Sequence, residues 1–242
     1  TIQAIIDTRE FPGERFLFFI TKSGQVKKTA FDAYNSSRRD GLIALGLKDD
    51  DELVRVIETS GDDDIFIASR SGQVIRFSEN EVRPMGRTAA GVRGISLEDE
   101  KDEVIGMITV NPENKDESIM VLSEKGYGKR SYINDPETGE AEYRITNRGG
   151  KGVKTINVTE KTGSLVGIMD VLEKEDLIIT CKSGITIRTG IVDIREAGRA
   201  TQGVKLIRLD EGDEIAAISQ IEEQVADEVI AEEGEVAEAE PT

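Results

Sequence analysis

Residues 16–30 read FLFFITKSGQVKKTA, in which an apolar run is followed by Ser23-Gly24 and by a second extended stretch. Two strand-forming segments joined by a residue pair that ends in glycine predict a tight β-hairpin, because glycine accepts the positive φ that such turns require. The same arrangement recurs at residues 65–77, 119–131 and 177–188. The turn glycines Gly24, Gly72, Gly126 and Gly184 are 48, 54 and 58 residues apart, which predicts an array of similar β units rather than one irregular sandwich.

A second glycine follows each hairpin, and the residues after it alternate between apolar and polar. These second glycines are Gly41, Gly91, Gly152 and Gly203. The period of two predicts a half-buried strand after each of them. A further apolar strand then closes each unit, at residues 53–57, 104–108, 165–169 and 215–218. About four strands in a unit of roughly fifty residues is typical of propellers, so we predict an all-β, propeller-like array of four-stranded blades.

The composition of the 242 residues excludes several kinds of chemistry. Histidine is absent, which removes His-based triads and His-ligated zinc, and the single cysteine, Cys181, can form no intrachain disulfide and is expected to be a small buried side chain. No stretch approaches eighteen apolar residues, and no signal-peptide pattern opens the sequence. We therefore expect a soluble, cytoplasmic protein that does not enter a membrane.

The net charge of −17 is unevenly distributed. From Asp210 onward there are 13 acidic residues and no Lys or Arg, which leaves 35 acidic and 31 basic residues in the first 209. Residues 222–242 hold nine acidic residues and no basic or aromatic one, so we expect an acidic tail that is mobile. Such a tail either competes with a polyanion for basic residues elsewhere in the chain or only promotes solubility.

Basic residues recur at fixed offsets from the two glycines. Four residues after each hairpin glycine stand Lys28, Arg76, Arg130 and Arg188. Arg87, Arg148 and Arg199 precede the second glycines by four residues, with Arg38-Arg39 one step displaced in the first unit, and Arg93, Lys154 and Lys205 follow them by two. Because equivalent positions of equivalent blades project from equivalent places, we predict a continuous cationic belt.

Such a belt on a curved β scaffold suits sequence-independent binding of double-stranded DNA through its phosphates. No recognition-helix pattern is present, and aromatic residues are only 5% of the chain, too few to favour stacking on single strands. The predicted DNA-binding residues are Lys27, Lys28, Arg38, Arg39, Arg76, Arg87, Arg93, Lys129, Arg130, Arg148, Lys151, Lys154, Arg188, Arg199 and Lys205.

One glycine-rich loop lies within this basic pattern and consists of Asn147, Arg148, Gly149, Gly150, Lys151 and Gly152. Glycines allow backbone amides to approach an anion, and the flanking Arg and Lys supply charge. The spacing is neither that of a P-loop nor that of a dinucleotide-binding fingerprint. By itself such a loop is more often only a flexible turn, but its position at the second glycine of a basic repeat favours anion binding.

Several strings resemble the C-terminal domain of the DNA gyrase A subunit: SGQVKKT (23–29), SGQVIRF (71–77), VRPMGRTAAGVRGI (82–95), KGYGKRS (125–131) and GRATQGVKLIR (198–208). The resemblance covers about residues 1 to 221. NRGGKG (147–152) is similar to the family's gyrase box, Q-[RK]-R-G-G-[RK]-G, but Thr146 and Asn147 stand where Gln and a basic residue are expected. It also lies in a late blade, whereas the family's principal box lies in the first.

The resemblance implies a six-bladed β-pinwheel that wraps duplex DNA, of which about four blades are present in residues 1–221, followed by the acidic tail 222–242. It further implies that the parent protein is an ATP-dependent type II topoisomerase that introduces negative supercoils at the nucleoid. The gyrase B subunit, together with the A-subunit dimer, would be a partner through an N-terminal part that this sequence does not contain. ATP and magnesium would belong to the holoenzyme, with no cofactor, metal or catalytic residue on this fragment.

Two other interpretations remain open from the sequence. The domain is also compatible with the C-terminal domain of the topoisomerase IV A subunit, which is a close relative that usually lacks the box. A propeller that serves as a protein-interaction scaffold would use the basic belt to bind an acidic partner. A glycosidase is disfavoured because the acidic residues show no converging pair.

Overall fold

The computed structural model describes residues 5–6, 14–35, 41–114, 116–135 and 137–222, which form β-strands joined by turns and short 3-10 helices. The strands are β1 (Phe16–Thr21), β2 (Gln25–Ala30), β3 (Leu53–Thr59), β4 (Asp64–Ser69), β5 (Gln73–Ser78), β6 (Val92–Arg93), β7 (Val104–Val110), β8 (Ser118–Ser123), β9 (Tyr127–Tyr132), β10 (Val153–Lys154), β11 (Leu165–Val171), β12 (Glu175–Cys181), β13 (Thr186–Gly190), β14 (Val204–Lys205) and β15 (Ile215–Glu222). The 3-10 helices are Phe31–Tyr34, Glu79–Glu81 and Ile191–Asp193.

The described strands form four antiparallel sheets, which confirms the predicted all-β array of blades. Sheet 1 has the order β3-β1-β2-β6, sheet 2 β7-β4-β5-β10, and sheet 3 β11-β8-β9-β14. Sheet 4 has three described strands in the order β15-β12-β13. Each sheet is built around one of the predicted hairpins, and the turn glycines Gly24, Gly72, Gly126 and Gly184 all have φ between 80° and 90°.

The outermost strand of each of the first three sheets comes from the next repeat along the chain. β6 follows the hairpin of sheet 2 but pairs with β2 of sheet 1, and β10 and β14 pair in the same way with β5 and β9. The repeats of the sequence and the sheets of the structure therefore do not coincide. Successive blades are joined because each repeat contributes the outermost strand of the preceding sheet.

The predicted strands after the second glycines are also shorter than expected. Each pairs over two residues, and residues 42–47 of the first repeat form no strand. The ladder stops because the backbone next bonds to a hairpin turn instead of the strand: Gly94 N–H donates to Gly24 O at 2.8 Å, and Thr155 N–H donates to Gly72 O at 2.8 Å. The alternating apolar residues after each second glycine therefore pack against a hairpin turn instead of continuing the strand.

The second glycines are required by close approach as well as by positive φ. A Cβ on Gly91 would lie 2.3 Å from Val26 O, and a Cβ on Gly152 would lie 2.3 Å from Val74 O. Any other residue would push β6 or β10 away from the strand with which it pairs.

The apolar core lies between successive sheets. Contacts between sheets run along β3, β7, β11 and β15, which are therefore the inner strands. One buried cluster joins Phe18 of sheet 1 to Met107 of sheet 2, and a later one joins Leu122 of sheet 3 to Cys181 of sheet 4, where the cysteine is buried as predicted. The opposite edges, β6, β10 and β14, face outward; together with the loops 86–91, 147–152 and 198–203 that precede them, we call them the rim.

Candidate nucleic-acid interface

The rim strands orient one basic side chain each toward solvent. In every two-residue strand the first residue, a valine, is half-buried against the sheet, whereas the second is exposed. The exposed residues are Arg93, Lys154 and Lys205. The three basic side chains point away from the sheet because successive side chains of a strand point to opposite faces.

The rim loops add a second set of cations. Arg87, Arg148 and Arg199 are half-buried, and Lys151 is exposed. Arg199 lies 3.5 Å from the carboxylate of Glu142. Arg38 and Arg39 lie outside the described residues.

A third set of exposed cations, in the segments that precede the rim loops, was not predicted from the sequence. Arg83, Arg144 and Arg195 each stand eight residues before a second glycine, and all three are exposed. The signal that could have found them is this offset, since it recurs as regularly as the offsets of the predicted residues. In three repeats the cations that precede the rim and those on the rim are therefore separated by the same four and six residues.

Five of the predicted DNA-binding side chains are inside the protein, so the prediction of an exposed belt is wrong for them. These are Lys27, Lys28, Arg76, Lys129 and Arg130, each at most 6% exposed. Their hydrogen-bond partners belong mostly to the next repeat. They join blades to one another and are not available at the surface to phosphates.

The cations four residues after the hairpin glycines act as clamps on the repeat that follows. Lys28 Nζ lies 2.8 Å from the buried carboxylate of Glu79, which begins the 3-10 helix of the next repeat. Arg76 donates to Asp64 of its own sheet at 2.9 and 2.6 Å and to Tyr143 O of the next repeat at 2.9 Å.

The third clamp has the same design. Arg130 donates from Nε to Ile194 O of the next repeat at 2.8 Å and from Nη1 to Glu173 at 2.7 Å. Arg188, the equivalent residue of sheet 4, is exposed and pairs with Asp176 of its own sheet. The positional recurrence in the sequence therefore reflects the way one blade holds the next.

Two buried lysines hold rim loops from below. Lys27 Nζ donates to the carbonyls of Arg87 and Ala44, and Lys129 Nζ donates to those of Gly198 and Arg199. Burial is the main reason that the pKa of each ammonium is lowered to about 8. The loop arginine contributes in the same direction in both cases, and at Lys129 the carboxylate of Glu142 opposes the shift.

The glycine-rich loop 147–152 lies flat on the neighbouring rim segment. Gly149 N–H donates to Gly94 O at 2.6 Å, and Ser96 donates from its N–H to Gly150 O at 2.9 Å and from its hydroxyl to Gly149 O at 2.7 Å. Arg148 donates to Glu81 O at 3.1 Å and to Arg93 O at 3.0 Å. The loop therefore links two rim strands, while Lys151 extends from it into solvent.

We call each place where one sheet meets the next repeat a junction. The first junction joins sheet 1 to residues 79–97, the second joins sheet 2 to residues 143–158, and the third joins sheet 3 to residues 194–209.

Among the residues that the structure describes, no group of three or more acidic or cysteine side chains is arranged to hold a metal ion. Within the same residues, none of the helices has the length and apolar character that a membrane crossing needs.

The fold and this surface together define the class of protein: a β-propeller-like array whose outer rim carries regularly spaced cations. The family model of the DNA gyrase C-terminal domain, beta-propeller, matches residues 15–60, 63–111, 117–135, 138–171 and 175–222. The chain belongs to this family.

Curated relatives agree with the family match. The A subunit of DNA gyrase from Staphylococcus aureus (strain NCTC 8325 / PS 47) is 42% identical over 228 residues, which are 94% of this chain and 25% of that protein. The corresponding gyrase protein of Staphylococcus epidermidis (strain ATCC 12228 / FDA PCI 1200) is 41% identical over 225 residues, 93% of this chain and 24% of that protein. The chain thus spans about a quarter of the length of these relatives.

Solved structures show the same fold. The crystal structure of the C-terminal domain of DNA topoisomerase IV superposes with a TM-score of 0.80 at 26% identity, covering 90% of this chain and 65% of that one. The structure of the DNA gyrase A C-terminal domain superposes with a TM-score of 0.73 at 24% identity, covering 88% of this chain and 68% of that one. The second likeness concerns the fold alone.

Proposed function

We propose that the chain binds duplex DNA along its rim and wraps it, without reading the base sequence. The observation that carries the proposal is the repetition of exposed Arg93, Lys154 and Lys205 on equivalent rim strands of three consecutive sheets. Cations that recur at equivalent positions of successive sheets suit binding to the repeated phosphates of a duplex, and phosphate contacts carry no sequence information. Smooth bending of a 20–30 bp site costs about 1–6 kcal/mol, which several such contacts offset.

In the parent protein this module would serve an ATP-dependent type II topoisomerase that introduces negative supercoils. The support is membership in the gyrase C-terminal family and similarity to proteins named as the A subunit of DNA gyrase. The remaining parts of such an enzyme, including the A-subunit dimer, the gyrase B subunit, and the ATP and magnesium sites, would lie outside this chain.

A charge-reversal triple variant tests DNA binding at the rim. Arg93→Glu, Lys154→Glu and Lys205→Glu together should weaken binding to unrelated duplexes alike. The plot of log affinity against log salt should become flatter by about 0.9 for each phosphate interaction that the variant removes. Arg76 and Arg130 are unsuitable for this purpose because they are buried clamps.

A matched control reverses three exposed lysines away from the rim. Lys101→Glu, Lys174→Glu and Lys182→Glu change the net charge equally but lie on turns next to inner or central strands. The proposal requires the control to retain the wild-type salt slope. Unchanged affinity of the rim variant, or equal losses in both triples, would instead support the protein-scaffold alternative.

The acidic segment 222–242 has a proposed role in the same function. Glu222 is the last residue of β15, and residues 223–242 lie outside the described residues. Its nine acidic residues compete with DNA for the rim at the high effective concentration of a tethered chain. Deleting it should tighten DNA binding at low salt, with a gain that shrinks as ionic strength rises. Equal affinities at every salt concentration would mean that the segment only promotes solubility.

A further inference from the structure

A short segment before each rim loop lies on the same sheet edge as the rim strand. In the first three sheets, β6, β10 or β14 pairs with the outer edge of the second hairpin strand, next to the turn. Three residues further along, the same edge accepts a second set of hydrogen bonds, at 2.8, 2.8 and 3.0 Å: Met85 N–H to Lys28 O, Thr146 N–H to Arg76 O, and Ala197 N–H to Arg130 O. We call residues 83–85, 144–146 and 195–197 the edge segments. At a rise of about 3.3 Å per residue, each lies roughly 10 Å from its rim strand.

The middle residue of the edge segment differs between sheets. It is Pro84 beside sheet 1, Ile145 beside sheet 2 and Glu196 beside sheet 3, in each case seven residues before the second glycine. Pro84 and Ile145 are exposed, and the exposed fraction of Ile145 is 56%. Glu196 is half-buried and lies 3.7 Å from Arg130. Sheets 1 and 2 therefore present an apolar side chain beside the exposed cations of the rim.

Ile145 is exposed although the residues around it are fixed in place. Tyr143 is buried, its hydroxyl lies 2.7 Å from the hydroxyl of Thr155, and its carbonyl accepts from Arg76 at 2.9 Å. Thr146 donates to the Arg76 carbonyl from its N–H at 2.8 Å and from its hydroxyl at 3.2 Å. The backbone therefore presents the isoleucine to solvent in a defined position, where the side chain adds little to the core.

Exposed cations lie on both sides of these apolar residues. One set directly precedes them in the edge segments, and the other lies on the rim strands of the same sheets: Arg83 and Arg144, then Arg93 and Lys154. A separation of roughly 10 Å lies between the widths of the minor and major grooves of DNA, about 6 and 12 Å. A duplex can therefore contact both sets through its phosphates. Such a duplex places its sugars next to the apolar side chain, because each phosphate is flanked by two sugars.

Contact with sugars suits a wrapped duplex better than insertion of the side chain between bases. An apolar wedge that enters the minor groove kinks the duplex toward the major groove, which is away from the protein, whereas wrapping bends the duplex toward the protein. The carbon atoms of deoxyribose offer an apolar surface without any unstacking. Like phosphate contacts, sugar contacts carry no sequence information, so they agree with binding to any base sequence.

We propose that Ile145 and Pro84 contact deoxyribose and restrict the rim to DNA by disfavouring the 2′-hydroxyl of ribose. This inference rests on the proposed function, because it takes binding of a duplex at the rim as given. A 2′-hydroxyl packed against either side chain loses its hydrogen bonds to water and gains no partner, which weakens binding. The rim cations alone do not make this distinction, because the phosphates of DNA and RNA carry the same charge.

Filter binding of the 242-residue chain to a DNA duplex and to a DNA–RNA hybrid of the same sequence tests the proposal. Wild type should prefer the DNA duplex, and Ile145→Ser should reduce this preference by about fivefold, because serine offers the 2′-hydroxyl a hydrogen-bond partner. The salt dependence should stay as in wild type, since no charge is removed. Both proteins are compared on the same two duplexes, so the different helix geometry of the hybrid cancels in the ratio.

The matched control is Val192→Ser, which alters another exposed aliphatic residue outside the edge segments and should keep the wild-type preference. Thermal melting checks that each variant is folded.

Replacing thymine by deoxyuridine in the DNA duplex removes the methyl groups and should leave the effect of Ile145→Ser unchanged. If that effect disappears, the isoleucine contacts a base edge and the proposal is wrong. Equal binding of wild type to both duplexes, or the same preference in Ile145→Ser as in wild type, would overturn it while leaving DNA binding at the rim intact. Failure of the proposed function gives a different result, because the rim charge-reversal variant would then bind duplex DNA like wild type, and this inference would fall with it.

Discussion

The first and second junctions support their rim loops with different kinds of side chain. Three residues after the hairpin glycine, sheet 1 has Lys27, whose ammonium binds carbonyls under the rim loop 86–91. Sheet 2 has Ile75 at the equivalent position, and its side chain lies 3.6 Å from where a Cβ on Gly150 would be. A hydrogen-bonded ammonium therefore lies under loop 86–91, and an aliphatic side chain lies under loop 147–152.

The loops above these two residues differ accordingly. Loop 86–91 (GRTAAG) takes its support from the buried ammonium below it and from Gly46 N–H. Loop 147–152 (NRGGKG) is instead held by hydrogen bonds with the neighbouring segment that contains Gly94 and Ser96. The glycines of the box-like loop therefore have a structural role, since Gly149 needs its φ of 80° to lie flat on that segment.

The largest expected effect separates the buried clamp Arg76 from its exposed equivalent Arg188. Arg76→Met removes both bonds to the buried carboxylate of Asp64 and should lower the free energy of unfolding by about 3–5 kcal/mol, because an uncompensated charge remains inside. Arg188→Met, in the equivalent but exposed pair with Asp176, should cost less than about 1 kcal/mol. Urea unfolding measures both, and similar losses would contradict the distinction between the two positions.

A smaller difference is expected at the second glycines. Gly152→Ala should destabilise the chain by about 2–4 kcal/mol, because its Cβ would lie 2.3 Å from Val74 O in addition to the cost of the left-handed backbone. Gly41→Ala has a similar φ but open space, so only the backbone cost of about 1–2 kcal/mol applies. If urea unfolding gives equal losses, close approach is not what requires glycine at the junction.

The ammonium-supported junctions should show a pH dependence that the second junction lacks. Lys27 and Lys129 have folded-state pKa values of about 8, below the ordinary 10.5, so above pH 8 the folded state releases protons that the unfolded state keeps. The free energy of unfolding should therefore rise with pH over this range, by roughly 2–3 kcal/mol for each lysine up to about pH 10. Lys27→Ile with Lys129→Ile should remove the rise, as measured by urea midpoints along the pH series.

The Ile75→Lys variant serves as the reciprocal change for that experiment. It places a third ammonium under the box-like loop and should add a pH-dependent increment of the same sign if the loop carbonyls accept it. A double isoleucine variant that keeps the full pH dependence would assign the dependence to other groups.

The hairpins and the exposed rim cations were predictable from the sequence because both depend on local rules. Turn chemistry places Gly24 and its equivalents, and the alternation of a strand places Arg93 outward. The burial of Lys27 and Lys28 was not predictable in this way. Adjacent residues of a strand point to opposite faces, and both faces are covered only because the next repeat wraps around the hairpin edge.

The partners of the acidic residues before the inner strands were also not predictable from the sequence. The sequence shows Asp51, Asp102 and Asp213 at matching places but gives no partner for them. In the structure each accepts hydrogen bonds from a hairpin serine, as Asp102 does from the N–H and hydroxyl of Ser71 at 2.9 Å each. A capping interaction between residues about thirty positions apart has no local signature, so it could be found only from the fold.

The smallest expected effect concerns DNA and depends on the proposed function. At the position before the second glycine, loop 147–152 carries exposed Lys151, and loop 86–91 carries exposed Ala90. If the box-like loop adds one phosphate contact, Lys151→Gln should flatten the salt dependence of duplex binding by about 0.9, and Ala90→Lys should steepen it by about the same amount. Both side chains point to solvent, so neither change should alter the free energy of unfolding by more than about 0.5 kcal/mol.

Filter binding over a salt series distinguishes the outcomes. A flatter slope for Lys151→Gln without a steeper one for Ala90→Lys would mean that the glycine-rich backbone, and not only the added charge, positions the contact. An unchanged slope in both variants would place the DNA path on the rim strands alone and leave the box-like loop a purely structural link.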